Sequence, residues 1–113
     1  MAALTTNVVP LTGLRFDNLL TAAAGGGDDC ATGAGVLLVV SNGDASPHTV
    51  TLATPETVDG DLAVADRAVV VAAGAEAVIP VTSRYRNPST GRCAITYDGV
   101  TSVTVAVVRV ATS

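Results

Sequence analysis

The stretch Ser102-Val-Thr-Val-Ala-Val-Val-Arg-Val110 decides the fold class. Its first half alternates valines with Thr104 and Ala106, and its second half is also apolar at Val108 and Val110. β-branched side chains with a period of two are typical of a strand that buries one face against a core. Apolar residues on both faces predict a central strand, or a strand whose outer side is covered by a partner.

Five shorter segments upstream predict further strands, each bounded by turn residues. They are residues 36–40, 49–54, 67–72, 76–81 and 93–97. Pro80 lies inside the fourth segment, and because proline has no N–H to donate, we expect an edge strand or a break there. With no convincing long helix, the pattern predicts an all-β fold: a small antiparallel β-sandwich or barrel-like domain of about six to eight strands.

Turn signals predict how these strands connect. Asn42-Gly43-Asp-Ala-Ser-Pro47 is a dense turn signal, so we expect segments 36–40 and 49–54 to form an antiparallel hairpin across it. Ala73-Gly74 predicts the turn that leads back into the next strand, and Asp98-Gly99 predicts the turn into the final strand.

The first 34 residues differ in character from the rest. Their large apolar side chains are costly to leave in water, so we expect an N-terminal extended arm that docks on a neighbour, or a leading strand followed by a loop. Asp17 to Ala24 predicts one or two helical turns with Asp17 as the N-cap. We therefore divide the chain into a leading segment, residues 1–34, and a β-sandwich domain, residues 35–113.

Composition favours association and argues against nucleic acid. The apolar residues are mainly Ala and Val, with one Phe, two Tyr and no Trp. Small side chains bury little area each, so contacts with a partner would add to a modest core. A net charge of −4 is the wrong sign for a phosphate-binding surface. We also expect no membrane span and no signal peptide, because the sequence has neither a long apolar run nor an apolar segment behind a basic start.

Chemically reactive side chains are sparse, and we expect neither an enzyme nor a cofactor. The single histidine, His48, follows Pro47 at a predicted turn and suggests a structural role. Cys30 and Cys93 are too widely spaced to form a zinc-ligand pair, and we expect both to be reduced.

The loop from Glu56 to Asp66 is rich in carboxylates. Its acidic side chains could supply oxygen ligands to Ca²⁺, but their spacing does not match an EF-hand loop. We expect instead a solvent-facing acidic loop in which Asp61 or Asp66 pairs with Arg67.

The loop Arg84-Tyr85-Arg86-Asn87-Pro88 combines two arginines with one of the three aromatic residues, and Arg92 follows closely. Tyr and Arg are enriched in the energetic centres of protein interfaces, and their charge suits a negative partner surface. Two interpretations stay open: an interface loop, or a loop in which Tyr85 covers the end of the sandwich and the arginines are solvated.

From about Gly35 onward the chain resembles small virion proteins of tailed phages, encoded among the head genes of siphophages, many from actinobacterial hosts. The resemblance rests on Val36-Leu-Leu-Val-Val-Ser-Asn42, His48-Thr-Val-Thr-Leu-Ala-Thr-Pro55, the glycine turn at Gly74, the 84–87 loop and the final valine-rich strand. It covers about two-thirds of the chain and leaves residues 1–34 without a counterpart.

The resemblance implies a capsid decoration (cement) protein, which binds the outside of a shell built from the major capsid protein. It implies assembly in the host cytoplasm, a position on the capsid exterior and a homo-oligomer, with a trimer favoured. We expect the capsid contacts to come from Leu4, Val8, Leu11, Leu14, Phe16, Arg84, Tyr85, Arg86 and Arg92. A head-tail connector or tail structural protein, and a Greek-key binding module, stay open as alternatives.

Overall fold

The computed structural model describes residues 2–9, 12–13, 19–55, 57–58, 62–63 and 66–110. Strands account for most of this part of the chain, and a short 3-10 turn covers Ser83–Tyr85. The strands are β1 (Ala2–Ala3), β2 (Thr6–Val9), β3 (Thr21–Ala22), β4 (Asp28–Cys30), β5 (Val36–Asn42), β6 (His48–Leu52), β7 (Thr57–Val58), β8 (Leu62–Ala63), β9 (Arg67–Val71), β10 (Glu76–Pro80), β11 (Cys93–Tyr97) and β12 (Val103–Val110). The predicted all-β sandwich is confirmed, and the six predicted strands correspond to β5, β6 and β9 to β12.

Two sheets enclose one core. Sheet A has the strand order β1-β4-β11-β6-β9, and sheet B has the order β10-β5-β12-β2, with β3 also paired to β12. β7 and β8 form a separate two-stranded ribbon. Inward side chains of both sheets build a single buried cluster, with Leu52 and Ile95 from sheet A against Leu38 and Val105 from sheet B.

The strand pairs are nested around the middle of the chain. β3 pairs with β12, β4 with β11, β5 with β10 and β6 with β9, and all four pairs are antiparallel. The chain therefore reverses direction between β6 and β9, and each strand before that point pairs with one after it. Successive pairs alternate between the two sheets. This order is that of a jelly roll, a double-sheet architecture made of two Greek keys.

The predicted hairpin between residues 36–40 and 49–54 is wrong, because β5 lies in sheet B and β6 in sheet A. The turn between them is a corner organised by Asn42, which is 1% exposed. The Asn42 side-chain amide donates to the carbonyls of Ser46 at 2.9 Å and Val71 at 3.0 Å. Since Val71 lies far along the chain, this buried amide ties the turn to the next corner instead of closing a local hairpin.

The turns at residues 73–74 and 98–99 also cross between the sheets. The helical turns predicted for residues 17–24 are wrong where the structure describes them. Thr21–Ala22 form β3, antiparallel to β12, and the Ala23 N–H donates to the Val103 carbonyl at 3.0 Å. Pairing with β12 satisfies these backbone groups, so a helix has no advantage there; residues 17 and 18 lie outside the described part.

β12 is a central strand, as its two apolar faces predicted. It pairs with β5 on one side and with β2 and β3 on the other. Val105 and Val107 point into the core. Ala106 and Val108 point to the opposite face, yet they are only 4% and 7% exposed.

The described residues of the leading segment contribute strands to both sheets. β1 pairs in parallel with β4, and β2 pairs in parallel with the second half of β12. The division of the chain at residue 34 stays a prediction.

A substitution at Gly27 tests how far the close contact between the start of β4 and the backbone of β11 contributes to stability. Its φ is +96°, and a Cβ there would lie 2.6 Å from the Ile95 carbonyl oxygen. Because that oxygen belongs to the backbone, it cannot move without disturbing the sheet. We expect Gly27→Ala to lower the free energy of unfolding by about 3 kcal/mol in urea denaturation, at the upper end for a strained backbone position.

Gly74→Ala is the matched control, because Gly74 also has a positive φ (+71°) but has open space where the Cβ would lie. It should cost only about 1 kcal/mol, the strain of the left-handed conformation alone. Equal losses in the two variants would show that the contact with Ile95 is unimportant.

Candidate functional site at the β9–β10 edge

Two edge strands meet on one side of the sandwich. β9 is the last strand of sheet A and β10 is the last strand of sheet B. They are consecutive in the chain and are joined by the short turn around Gly74. This side of the domain therefore presents the edges of both sheets next to each other.

The backbone bonds of neighbouring strands fix which residues face these free edges. The Asp98 N–H donates to Thr49, so in the alternating pattern of an antiparallel sheet Thr49 and Thr51 bond towards β11. His48, Val50 and Leu52 then bond towards β9, which leaves the N–H and C=O groups of Ala68 and Val70 directed to the free edge.

The backbone bonds between β5 and β10 likewise determine which residues of β10 face outward, and they account for Pro80. The Val81 N–H donates to Val36, so Val81 and Ile79 bond towards β5 while Val78 and Pro80 face outward. Proline lacks the N–H that an inward position would need, and at an outward position nothing is lost. The prediction that Pro80 marks an edge strand is confirmed.

The two free edges carry the most exposed large apolar side chains among the described residues. Val70 of β9 is 68% exposed and Val78 of β10 is 59% exposed. Soluble proteins usually protect free edges with Lys, Pro or a bulge. β10 has Pro80, whereas β9 runs Arg67-Ala-Val-Val-Val71 with none of these devices along its valines. No strand pairs with this side of β9 within the part of the chain that the structure describes, so the edge can accept another strand.

A groove of about 300 Å³ lies between the two edges. Its lining is mostly apolar, with one cationic and one aromatic side chain; the lining residues are Arg67, Val69, Val78, Ile79, Pro80 and Tyr85. A mostly apolar lining with a few polar groups is the usual composition of a recognition site.

The loop of Arg84, Tyr85 and Arg86 lies beside this groove. The 3-10 turn is closed by the Tyr85 N–H, which donates to Thr82 at 3.2 Å, and by the Arg86 N–H, which donates to Ser83 at 3.1 Å. Tyr85 is half-buried and packs against the core, whereas Arg84 and Arg86 are exposed. Tyr85 covers the sandwich, as one of the two interpretations expected, and also lines the groove. That these residues contact a capsid stays a prediction.

Arg92 takes part in an internal network on the other side of β11. Its Nε donates to Asp29 Oδ1 at 2.5 Å, and its Nη2 donates to the Leu4 carbonyl at 3.0 Å. The guanidinium therefore joins two parts of the leading segment, Leu4 and β4, to the start of β11. The sequence neighbours of Arg92 did not indicate this role. Leu4 packs against the core and Val8 is 56% exposed on β2. The predicted contact residues Leu11, Leu14 and Phe16 lie outside the described residues.

A histidine clamp fixes the corner next to Asn42. His48 Nε2 lies 2.8 Å from Asp44 Oδ2, and Nδ1 lies 3.0 Å from Asp98 Oδ1. Hydrogen bonds to the two carboxylates, first Asp44 and then Asp98, raise the pKa of His48. Hydrogen bonding to His48 lowers the pKa of Asp44, while hydrogen bonds from the Thr49 backbone and from His48 lower that of Asp98. The structural role expected for His48 agrees with this geometry.

Besides Asn42, a second buried polar residue, Asp28, lies at the start of β4. Asp28 is fully buried, and its Oδ2 accepts from the Tyr97 hydroxyl at 2.6 Å and from the Ala24 N–H at 3.2 Å. Burial, followed by the hydrogen bond to Asp28, raises the pKa of Tyr97. The Tyr97 hydroxyl therefore stays protonated and donates a hydrogen bond that fixes the start of β4.

Of the predicted acidic loop, Glu56, Asp59 and Asp61 lie outside the described residues. Asp66 is exposed, and its Oδ1 accepts from the Thr54 N–H at 2.8 Å, which closes the base of the loop. Across the described ranges, no group of His, Cys, Asp and Glu side chains is arranged to hold a metal ion. The same ranges contain no helix long and apolar enough to cross a membrane.

Comparison with protein-family models, with curated proteins and with solved structures finds no match for this chain.

The histidine clamp predicts a pH dependence of stability. His48 has a folded-state pKa above its ordinary value of 6.5, so its stabilising effect is complete below that value. The effect is lost as the pH rises through the folded-state pKa. We expect the free energy of unfolding in urea to fall as the pH rises above about 6.5 and to level off once the folded-state pKa of His48 is passed.

His48→Gln is the control, because glutamine hydrogen-bonds without titrating in this range. The variant should show a flat profile over the same interval. If it keeps the slope of the wild type, another group causes the pH dependence.

Proposed function

We propose that this protein is a structural virion protein that binds the outer surface of a phage capsid and stabilises the shell, as a decoration or cement protein. The observation that carries the proposal is the β9–β10 edge, where an unprotected strand, two exposed valines and a tyrosine-bordered groove adjoin an arginine-rich loop. The sequence resemblance supplies the kind of partner, a major capsid protein.

The chemistry of the edge supports an extended partner segment. The backbone groups of Ala68 and Val70 can pair with an added strand, which gives affinity without sequence specificity. The groove between Val78 and Tyr85 can then take an apolar side chain of that strand. Arg67 in the groove lining, with the exposed Arg86 nearby, favours an acidic residue in the partner by charge complementarity.

The architecture agrees with the proposal at the level of analogy. Jelly rolls recur in viral capsid domains, but they also occur in lectins and cupins, so the fold by itself selects no function. A decoration protein needs a stable body with a docking surface, and repetition over a lattice makes modest single contacts sufficient. A protein that binds the assembled shell and not its free subunits stabilises the shell by mass action.

The alternatives differ in stoichiometry. A connector or tail structural protein would use the same kind of edge in a ring of low copy number. A Greek-key binding module would use the groove for a ligand unrelated to a shell.

The first test is the copy number in purified particles of the phage that encodes the protein, measured by quantitative mass spectrometry against the major capsid protein. A decoration protein that covers the lattice should approach a ratio near one. A ratio corresponding to about a dozen copies per particle or fewer would favour the connector or tail role. Absence from particles would contradict a virion function altogether.

The second test addresses the surface. Val70→Lys places a charged side chain on the open β9 edge, a device that blocks edge pairing. Because Val70 is 68% exposed, the variant should fold normally. We expect its affinity for shells stripped of this protein to fall at least about tenfold in a sedimentation assay, equivalent to roughly 1.4 kcal/mol or more.

Thr101→Lys, which adds the same charge at an exposed turn position, is the matched control and should bind like the wild type. Circular dichroism and size-exclusion chromatography would check that both variants keep their fold and oligomeric state. If Val70→Lys binds as tightly as the wild type, the β9 edge is not the docking surface. The copy-number test would still decide separately whether the protein is a decoration protein.

A further inference from the structure

The two cysteines are direct neighbours across the β4–β11 pair. Cys93 of β11 is in register with Cys30 of β4. Both are free thiols, both are 0% exposed, and both belong to the core cluster. Although the two cysteines are far apart in the sequence, the fold therefore places their thiols side by side.

The backbone pattern gives the geometry of this pair. The Ala53 N–H donates to the Ala94 carbonyl, so Ala94 bonds towards β6 and its neighbour Cys93 bonds towards β4. Cys30 and Cys93 thus occupy a hydrogen-bonded position of the antiparallel ladder, where Cα atoms are about 5.5 Å apart. Disulfides form at Cα separations of roughly 4.4–6.8 Å, so the register brings the two residues within range. The Cβ atoms of a hydrogen-bonded pair are about 5.5 Å apart, so closing the bond requires the two strands to move about 1 Å closer there.

The thiols form a short chain of donors and acceptors. The Cys93 Sγ lies 3.6 Å from the Ala94 carbonyl and donates to it. A hydrogen bond between the two thiols raises the pKa of Cys30 and lowers that of Cys93. Cys93 is therefore the first of the two to ionise, and Cys30 follows as the resolving thiol.

We propose that Cys30 and Cys93 are a convertible dithiol–disulfide site, reduced where the chain is made under reducing conditions and closed by a small oxidised disulfide such as oxidised glutathione. In the first step the Cys93 thiolate attacks one sulfur of the oxidant, forming a mixed disulfide and releasing one reduced thiol. In the second step the deprotonated Cys30 attacks the Cys93 sulfur and releases the second thiol. Two protein thiols are oxidised and one oxidant disulfide is reduced, with the two protons taken up by the released thiolates.

The bond would close residues 31–92 into a loop and fasten β4 to β11. Because a disulfide restricts the unfolded chain more than the folded one, the oxidised form should be the more stable. Full burial means that exchange needs local opening of the β4–β11 pair, so closure should be slow in the folded protein and fast during refolding. This proposal does not depend on the virion assignment.

The test uses the full chain, refolded from denaturant in an oxidised-to-reduced glutathione mixture. Intact mass spectrometry after alkylation in denaturant should show a species two hydrogens lighter than the reduced protein, with no alkylated cysteine. Its thermal midpoint should exceed that of the reduced form by roughly 10 °C. The same oxidant added to folded protein should give this species much more slowly.

Cys30→Ala and Cys93→Ala are the matched controls, since each keeps one thiol and cannot close the loop. Their thermal midpoints should not rise in the oxidising mixture. The proposal is overturned if wild-type thiols stay fully alkylatable after oxidative refolding, if only glutathione adducts form, or if the internally bridged species melts below the reduced one. These readouts need no capsid, so a failure here is distinct from a failure of the proposed function.

Discussion

The pairing of β5 with β12 is the constraint on which the other strands depend. It joins Val36–Asn42 to Val103–Arg109, so it brings the two ends of the β-rich region together and requires the closure of a long loop. Every other pair of the jelly roll is then placed around it: β10 and β3 extend the same sheet, while β4, β11, β6 and β9 cover its inner face. Because such contacts are non-local, this topology should fold slowly for its size.

The sequence predicted the six strands of five or more residues, missed the shorter ones and predicted the strand partners poorly. Alternating valines and threonines locate β6 and β12 because the period of two is a local property of the chain. Strand pairing depends on contacts between distant segments, which local sequence patterns do not contain. The Asn42-Gly43 turn signal is an example. A turn sequence indicates that the chain reverses, but whether it closes a hairpin or turns a corner depends on the carbonyl of Val71, which accepts from the Asn42 amide.

The candidate site was predictable to a similar degree. Tyr85 and its flanking arginines stand out by residue type, since an aromatic among arginines is typical of an interface. The open β9 edge could not be read in advance, because an edge exists only once the strand order is known. Arg92 pairs with Asp29, and His48 is held by two carboxylates. These roles could not be predicted, because they depend on contacts between segments that are distant in the sequence.

Pro80 makes the two adjoining edges unequal, because β10 lacks a donor at Pro80 while β9 has its full outward set at Ala68 and Val70. Each copy of the chain therefore offers one complete pairing edge on this side of the sandwich, not two. A strand that paired with β9 would leave no second complete edge beside it, and such pairing would oppose open-ended growth into fibres.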